Sequence, residues 1–89
     1  MVCLKITVKG MVQGVGYRYF CHRKADEFNI KGYAKNLYNG DVELEIEAEK
    51  GLAEDFIKHL KIGPAYSRVT EIEVKEIPYT NKYRTFSVY

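Results

Sequence analysis

The chain has 89 residues, 14 Lys+Arg against 12 Asp+Glu, and is 46% hydrophobic and 29% charged. That composition suits one small folded domain spanning 1–89 and excludes a disordered chain. A net charge of +2 with both signs interspersed falls short of a nucleic-acid binder's basic stripe, and no apolar run reaches the ~18–20 residues of a membrane span.

Leu4, Ile6 and Val8 alternate with Lys5, Thr7 and Lys9, the period-2 pattern of a half-buried strand. A glycine-rich loop follows from Gly10 to Gly16. Tyr17, Phe20, Cys21, Ala25 and Phe28 then recur at helical spacing, with Asn29 and Gly32 expected to close that helix. Lys31 to Leu37 reads as a second strand. Asn39-Gly40 predicts a hairpin with a type I′ turn. In the third strand Val42, Leu44, Ile46 and Ala48 alternate with Asp41, Glu43, Glu45 and Glu47, whose carboxylates are expected to form a solvated face. Leu52, Ala53, Phe56, Ile57 and Leu60 trace a second amphipathic helix, stopped by Gly63-Pro64. Strands from Val69 to Ile77 and from Thr85 to Tyr89 complete the chain. The order β-α-β-β-α-β with a short extra strand predicts a ferredoxin-like α+β fold, two helices on one face of an antiparallel sheet. A fold shared by many activities does not assign one.

The informative segment is Gly10-Met11-Val12-Gln13-Gly14-Val15-Gly16-Tyr17-Arg18. It leaves strand one and enters helix one, so its main-chain N–H groups lie at the positive end of the helix. Glycines there permit a nest of amides around an anion, and Arg18 can fork onto two phosphate oxygens. Amides from Gln13, Gly14, Val15, Gly16, Tyr17 and Arg18 would complement a phosphoryl group. The same spacing also suits a plain strand-to-helix connection whose glycines only turn the chain. Better-known phosphate motifs do not fit. The Gly-Lys-Ser/Thr of a Walker loop is absent, a dinucleotide fingerprint would need glycine at Tyr19, and a cysteine phosphatase starting at Cys21 would need arginine at Glu27. Asn36 lies late in strand two. Strands one and two run parallel in a split βαβ with strand three between them, so their ends share one sheet edge about 10 Å apart. Asn36 can therefore face the Gln13–Arg18 loop, although a turn-flanking asparagine would look the same in sequence.

These residues resemble the acylphosphatase family. The family's Gly-x-Val-Gln-Gly-Val-x-aromatic-Arg loop matches Gly10 to Arg18, and its Gly-aromatic-Ala/Val-x-Asn-x-x-x-Gly-x-Val signature matches Gly32 to Val42. Gly63-Pro64 and the Phe86-Ser87-Val88 ending also fit. Tyr38-Asn39 stands where many relatives have Pro-Asp, and Ala65 where a second proline is common; both lie in connections. The resemblance implies hydrolysis of the carboxyl-phosphate bond of acyl phosphates, releasing inorganic phosphate, without metal, cofactor or covalent intermediate. It places the phosphate-binding arginine on Arg18 and the water-orienting asparagine on Asn36. Such chemistry suits the residues available. A carboxylate, whose conjugate acid has a pKa near ~4, leaves without a general acid, and the amide of Asn36 can position water but not take its proton.

The rival reading is a non-catalytic phosphate- or RNA-binding module. Lys31-Gly32-Tyr33-Ala34 opens like an RNA-recognition signature, but Lys35 and Asn36 stand where an aromatic and an apolar residue should follow. The segment also falls on strand two rather than strand three, whose face is acidic. No nucleic-acid partner is expected. Cys21 and His22 are adjacent on a helix and point about 100° apart, so with Cys3 and His59 they make no ligand-spaced metal set. His22 is expected to be a solvent-exposed helix residue, Cys21 a small core residue, and the tyrosines to serve strands and half-buried positions. The two cysteines make no dense disulfide framework. A monomer in the reducing cytoplasm, free of membranes, is the expectation.

Overall fold

The computed structural model describes residues 1–89. The elements are β1 (Val2–Met11), α1 (Tyr17–Glu27), β2 (Lys31–Asn36), β3 (Val42–Ala48), α2 (Lys50–Ile62), β4 (Arg68–Ile77) and β5 (Phe86–Val88). They form a sheet of order β4-β1-β3-β2-β5, antiparallel except that β5 pairs parallel with β2 through Gly32–Phe86, Tyr33–Ser87 and Ala34–Val88. The ferredoxin-like fold, its antiparallel four-stranded core and the short extra C-terminal strand are as expected, and the parallel pairing of that extra strand makes the sheet mixed. After β4 at one edge the chain must reach the opposite edge, and it arrives running the same way as β2.

Alternation decides the two faces. Leu4, Ile6 and Val8 of β1, Val42, Leu44 and Ile46 of β3, and Ala34 of β2 are buried beneath the helices, meeting Tyr17, Cys21 and Ala25 of α1 and Ala53, Phe56 and Leu60 of α2. Core burial of this kind stabilises by roughly 25 cal/mol per Å² of apolar surface. No helix is long and apolar enough to cross a membrane.

Some expectations are corrected. Helix α1 ends without Gly32: Asn29 takes φ 55°, its N–H donates to Asp26 and that of Ile30 to the Ala25 carbonyl, which is a Schellman closure. Gly32 lies inside β2, where a Cβ would stand 1.8 Å from the Glu45 carbonyl oxygen, so it permits the close approach of β2 to β3. The hairpin turn is not type I′, because Gly40 takes positive φ (98°) and Asn39 does not. The Leu37 carbonyl accepts from Gly40 N–H at 3.2 Å and the Leu37 N–H donates to Asp41 at 2.8 Å, giving a wider loop that ends on a glycine bulge.

The glutamates of β3 are not a solvated face either. The connection from β4 to β5 crosses the sheet surface opposite the helices, and Glu45 and Glu47 are buried beneath it. Glu47 accepts from the main-chain N–H groups of Lys82 (3.3 Å) and Tyr83 (3.1 Å); Glu45 accepts from the Tyr83 hydroxyl and pairs with Lys82 Nζ at 2.7 Å. Burial alone would raise the Glu45 carboxyl, but the bonds from Lys82 and Tyr83 outweigh it and hold its pKa below the usual value. Sheet propensity does not explain the tyrosines: Tyr33 alone lies in a strand, while Tyr19, Tyr38, Tyr66 and Tyr89 are largely exposed on a helix, turns and the chain end.

Candidate active site

The site is built where β1 hands over to α1. Gly14 and Gly16 take φ of 73° and 78°, a left-handed conformation that turns successive N–H groups toward a common side. Gly16 caps α1, which has no side-chain cap and no acidic residue in its first turn. Main-chain N–H groups from Gln13 through Tyr19 therefore donate to no acceptor within the protein. A Cβ on Gly14 or Gly16 would meet nothing within 4 Å, so open space lies before both. Unpaired amides at the positive end of a helix form an anion site.

The side chains around this row divide the work. Val15 packs against the core and offers only its N–H. Tyr17 is likewise buried; its hydroxyl donates to the Leu60 carbonyl at 2.7 Å, anchoring the start of α1 to the end of α2. Burial pushes the Tyr17 phenol far above its ordinary pKa, so it stays a neutral donor. Gln13 does more than contribute an amide N–H. Its Nε2 donates to the carbonyls of Leu37 (2.8 Å) and Asp41 (2.9 Å), tying the loop to the β2–β3 turn. Arg18 projects from the first turn of α1, and its Nη1 donates to the main-chain oxygen of Tyr89. The Tyr89 N–H in turn donates to the Ala34 carbonyl at 2.9 Å, two residues before Asn36. Arg18 is thus connected to β2 through the end of β5. The sequence carried no signal for this link, which spans 71 residues.

Asn36 closes β2 on the helix-bearing face, in step with Ala34. Its Oδ1 is shut off from solvent and has no hydrogen-bond partner in the protein. An unpaired amide oxygen costs stability, and such exceptions call for an explanation in function. Arg18 and Asn36 line separate depressions. Val12, Gly14, Gly16, Tyr17, Arg18, Tyr19, His22 and Val88 enclose about 460 Å³. Gln13, Lys35, Asn36, Leu37 and Tyr38 border a second, of about 580 Å³. His22 is only partly exposed, placed between that first depression and Asp26, 3.6 Å from its carboxylate. Cys21 is fully buried in the core, and burial pushes its thiol up to about 12, which leaves it protonated and unreactive.

The acylphosphatase family model matches residues 4–88. The chain belongs to the acylphosphatase family. It is 44% identical over 86 residues to an acylphosphatase of Vibrio vulnificus, covering 97% of this chain and 94% of that one. An acylphosphatase of Archaeoglobus fulgidus is 43% identical over 88 residues, covering 99% and 98%. The crystal structure of acylphosphatase from Bacillus subtilis superposes with a TM-score of 0.96 at 36% identity, covering 100% of this chain and 99% of that one.

Proposed function

We propose that this member of the acylphosphatase family hydrolyses acyl phosphates to a carboxylate and inorganic phosphate at the mouth of the β1–α1 loop. The observation that carries the reading is the row of unpaired N–H groups from Gln13 through Tyr19, open to solvent at Gly14 and Gly16 and flanked by Arg18. The phosphoryl oxygens accept from these amides and from the guanidinium N–H groups that Tyr89 leaves free. The side-chain amide of Asn36, which borders the second depression, orients a water whose lone pair is aimed at phosphorus. The water oxygen–phosphorus bond forms as the phosphorus–oxygen bond to the acyl group breaks, the electron pair leaving on the carboxylate. A phosphate oxygen takes the proton that Asn36 cannot. Catalysis is then orientation and electrostatic stabilisation by preorganised donors.

The RNA-binding alternative is disfavoured, because the sheet surface such modules use is here acidic and covered by the β4–β5 connection. The free thiols of Cys3 and Cys21 support a reducing, cytoplasmic setting. The reading takes the protein as a single catalytic domain acting as a monomer.

The test is hydrolysis of benzoyl phosphate and of phenyl phosphate in excess chelator. Only the acyl phosphate has a leaving group that departs unassisted, so only its rapid turnover is expected. Asn36→Ala should lower kcat by ~10²–10³-fold while inorganic phosphate still inhibits; Arg18→Ala should weaken both turnover and phosphate inhibition. Equal effects of the two substitutions on phosphate inhibition would overturn the division of roles. No turnover by folded wild type would leave the loop as a binding device.

A further inference from the structure

Helical spacing puts Arg18, His22 and Asp26 in one row along α1, each four positions after the last. His22 lines the same hollow as Gly14, Gly16 and Arg18. It also lines a second hollow, of about 370 Å³, together with Asp26, Lys31 and Arg84. The ring is shared by the two and is held from two directions. Asp26 Oδ2 lies 3.6 Å from its Nδ1, and the Phe86 ring of β5 meets it edge-on with centroids 6.2 Å apart. Hydrolysis of an acyl phosphate leaves His22 no proton to carry, because the carboxylate departs without an acid and a phosphate oxygen takes the proton of water. What His22 brings to the hollow is charge.

We infer that His22 is a further anion-binding residue of this site: protonated, it strengthens the hold on the phosphoryl group; neutral, it leaves that hold to the loop amides and Arg18. The inference rests on the β1–α1 loop being the phosphate site, and does not require that hydrolysis follow. Histidine is the side chain whose ordinary titration falls between about pH 5 and 8. The charged groups around His22 are Arg18 one turn before it, Asp26 one turn after, and Lys31 and Arg84 in the second hollow. Asp26 favours the imidazolium and the three cations oppose it; a dianion bound at the loop adds to the side of Asp26. Tyr17 and Tyr19 also line the first hollow, but phenols ionise well above this range. The His22 side chain is 42% exposed, so solvent screens its charge and the effect is a few-fold one. Anion affinity therefore falls as pH rises through the histidine range. KM rises with it, while kcat does not follow, because the charge acts alike on bound substrate and transition state.

The test uses sulfate, which stays a dianion across this range, titrated at constant ionic strength and followed by NMR at the amides of the β1–α1 loop. Wild type is expected to bind it roughly 3- to 8-fold more tightly at pH ~5.5 than at pH ~8, the effect of a screened charge on a dianion. His22→Gln should show the weaker constant at both pH values and His22→Lys the tighter one at both. In kinetics, the KM of benzoyl phosphate should rise with pH in wild type by the same factor relative to His22→Gln, without a matching change in kcat. An equal pH dependence of sulfate binding in wild type and His22→Gln overturns the inference. So does a His22→Lys protein that keeps the wild-type dependence, since a purely structural role would lower Tm in both variants and leave the dependence in place. No sulfate binding by folded wild type removes the phosphate site and the inference with it. The expected pH dependence without turnover of benzoyl phosphate supports the inference and removes only the hydrolytic reading.

Discussion

Replacing Gln13 by glutamate changes a single heavy atom, the Nε2 that donates at 2.8 Å to Leu37 and 2.9 Å to Asp41. With carbonyl oxygens on both sides, only an N–H₂ group fits there; a carboxylate oxygen is repelled by both and must swing out. Each carbonyl keeps one other donor, Gly40 N–H for Leu37 and Leu37 N–H for Asp41, so neither is orphaned. The loss is therefore that of two net hydrogen bonds, about 2 kcal/mol together, or a fall in Tm of roughly 10 °C for a domain of this size. Activity should suffer more, because the tie between the phosphate loop and the end of β2 is what keeps the amide row in register with Asn36. A displacement near 1 Å costs about 10²-fold in kcat/KM, and the new charge beside the phosphoryl group adds repulsion. We predict that Gln13→Ala matches the fall in Tm with the smaller loss of activity, and that added salt partly restores the KM of Gln13→Glu but not that of Gln13→Ala. Thermal melts and benzoyl phosphate kinetics on both variants decide it. Wild-type Tm and kcat/KM in Gln13→Glu would refute the idea that this side chain holds the site together.

Two other predictions concern the scaffold. Gly32→Ala places a methyl group 1.8 Å from the Glu45 carbonyl, a backbone atom that can move only if β2 and β3 separate, so it should cost at least about 3 kcal/mol; a denaturant midpoint like that of wild type would contradict the close-approach argument. The Glu45 carboxyl is held below its ordinary pKa by Lys82 and Tyr83, so its stabilising effect is present above the unfolded-state pKa and is lost as pH falls through the lower folded value. Urea midpoints should hold above pH ~5 and decline below pH ~4.5, with a shallower decline in Glu45→Gln; identical slopes in the two proteins would exclude Glu45 from the acid response.

Periodicity and punctuation were enough to place the elements. Alternation in Leu4–Val8 and Val42–Ala48 and the helical spacing of Tyr17, Phe20, Cys21 and Ala25 are local signals, and each element formed close to where they put it. The segment from Gln13 to Arg18 was legible for the same reason, since a glycine loop entering a helix creates unpaired N–H groups whatever surrounds it. The missed features are those whose cause lies far along the chain. The turn type at Asn39-Gly40 was decided by the register between β2 and β3 rather than by the dipeptide. Gly32 looked like helix punctuation because its crowding comes from Glu45, on the next strand. Glu45 and Glu47 looked solvated because alternation reports a face without reporting what crosses it.

By itself, then, the sequence determined the βαββαβ order, the inward-facing residues and a glycine loop with unpaired N–H groups at the start of α1, because these depend on spacings of a few residues. Only the tertiary structure decided that Arg18 meets the main chain of Tyr89, that Gln13 fastens the loop to the β2–β3 turn, and that Asn36 and Arg18 line separate depressions. These placements follow from the strand order β4-β1-β3-β2-β5, in which distant segments become neighbours through long-range pairing that no local pattern encodes.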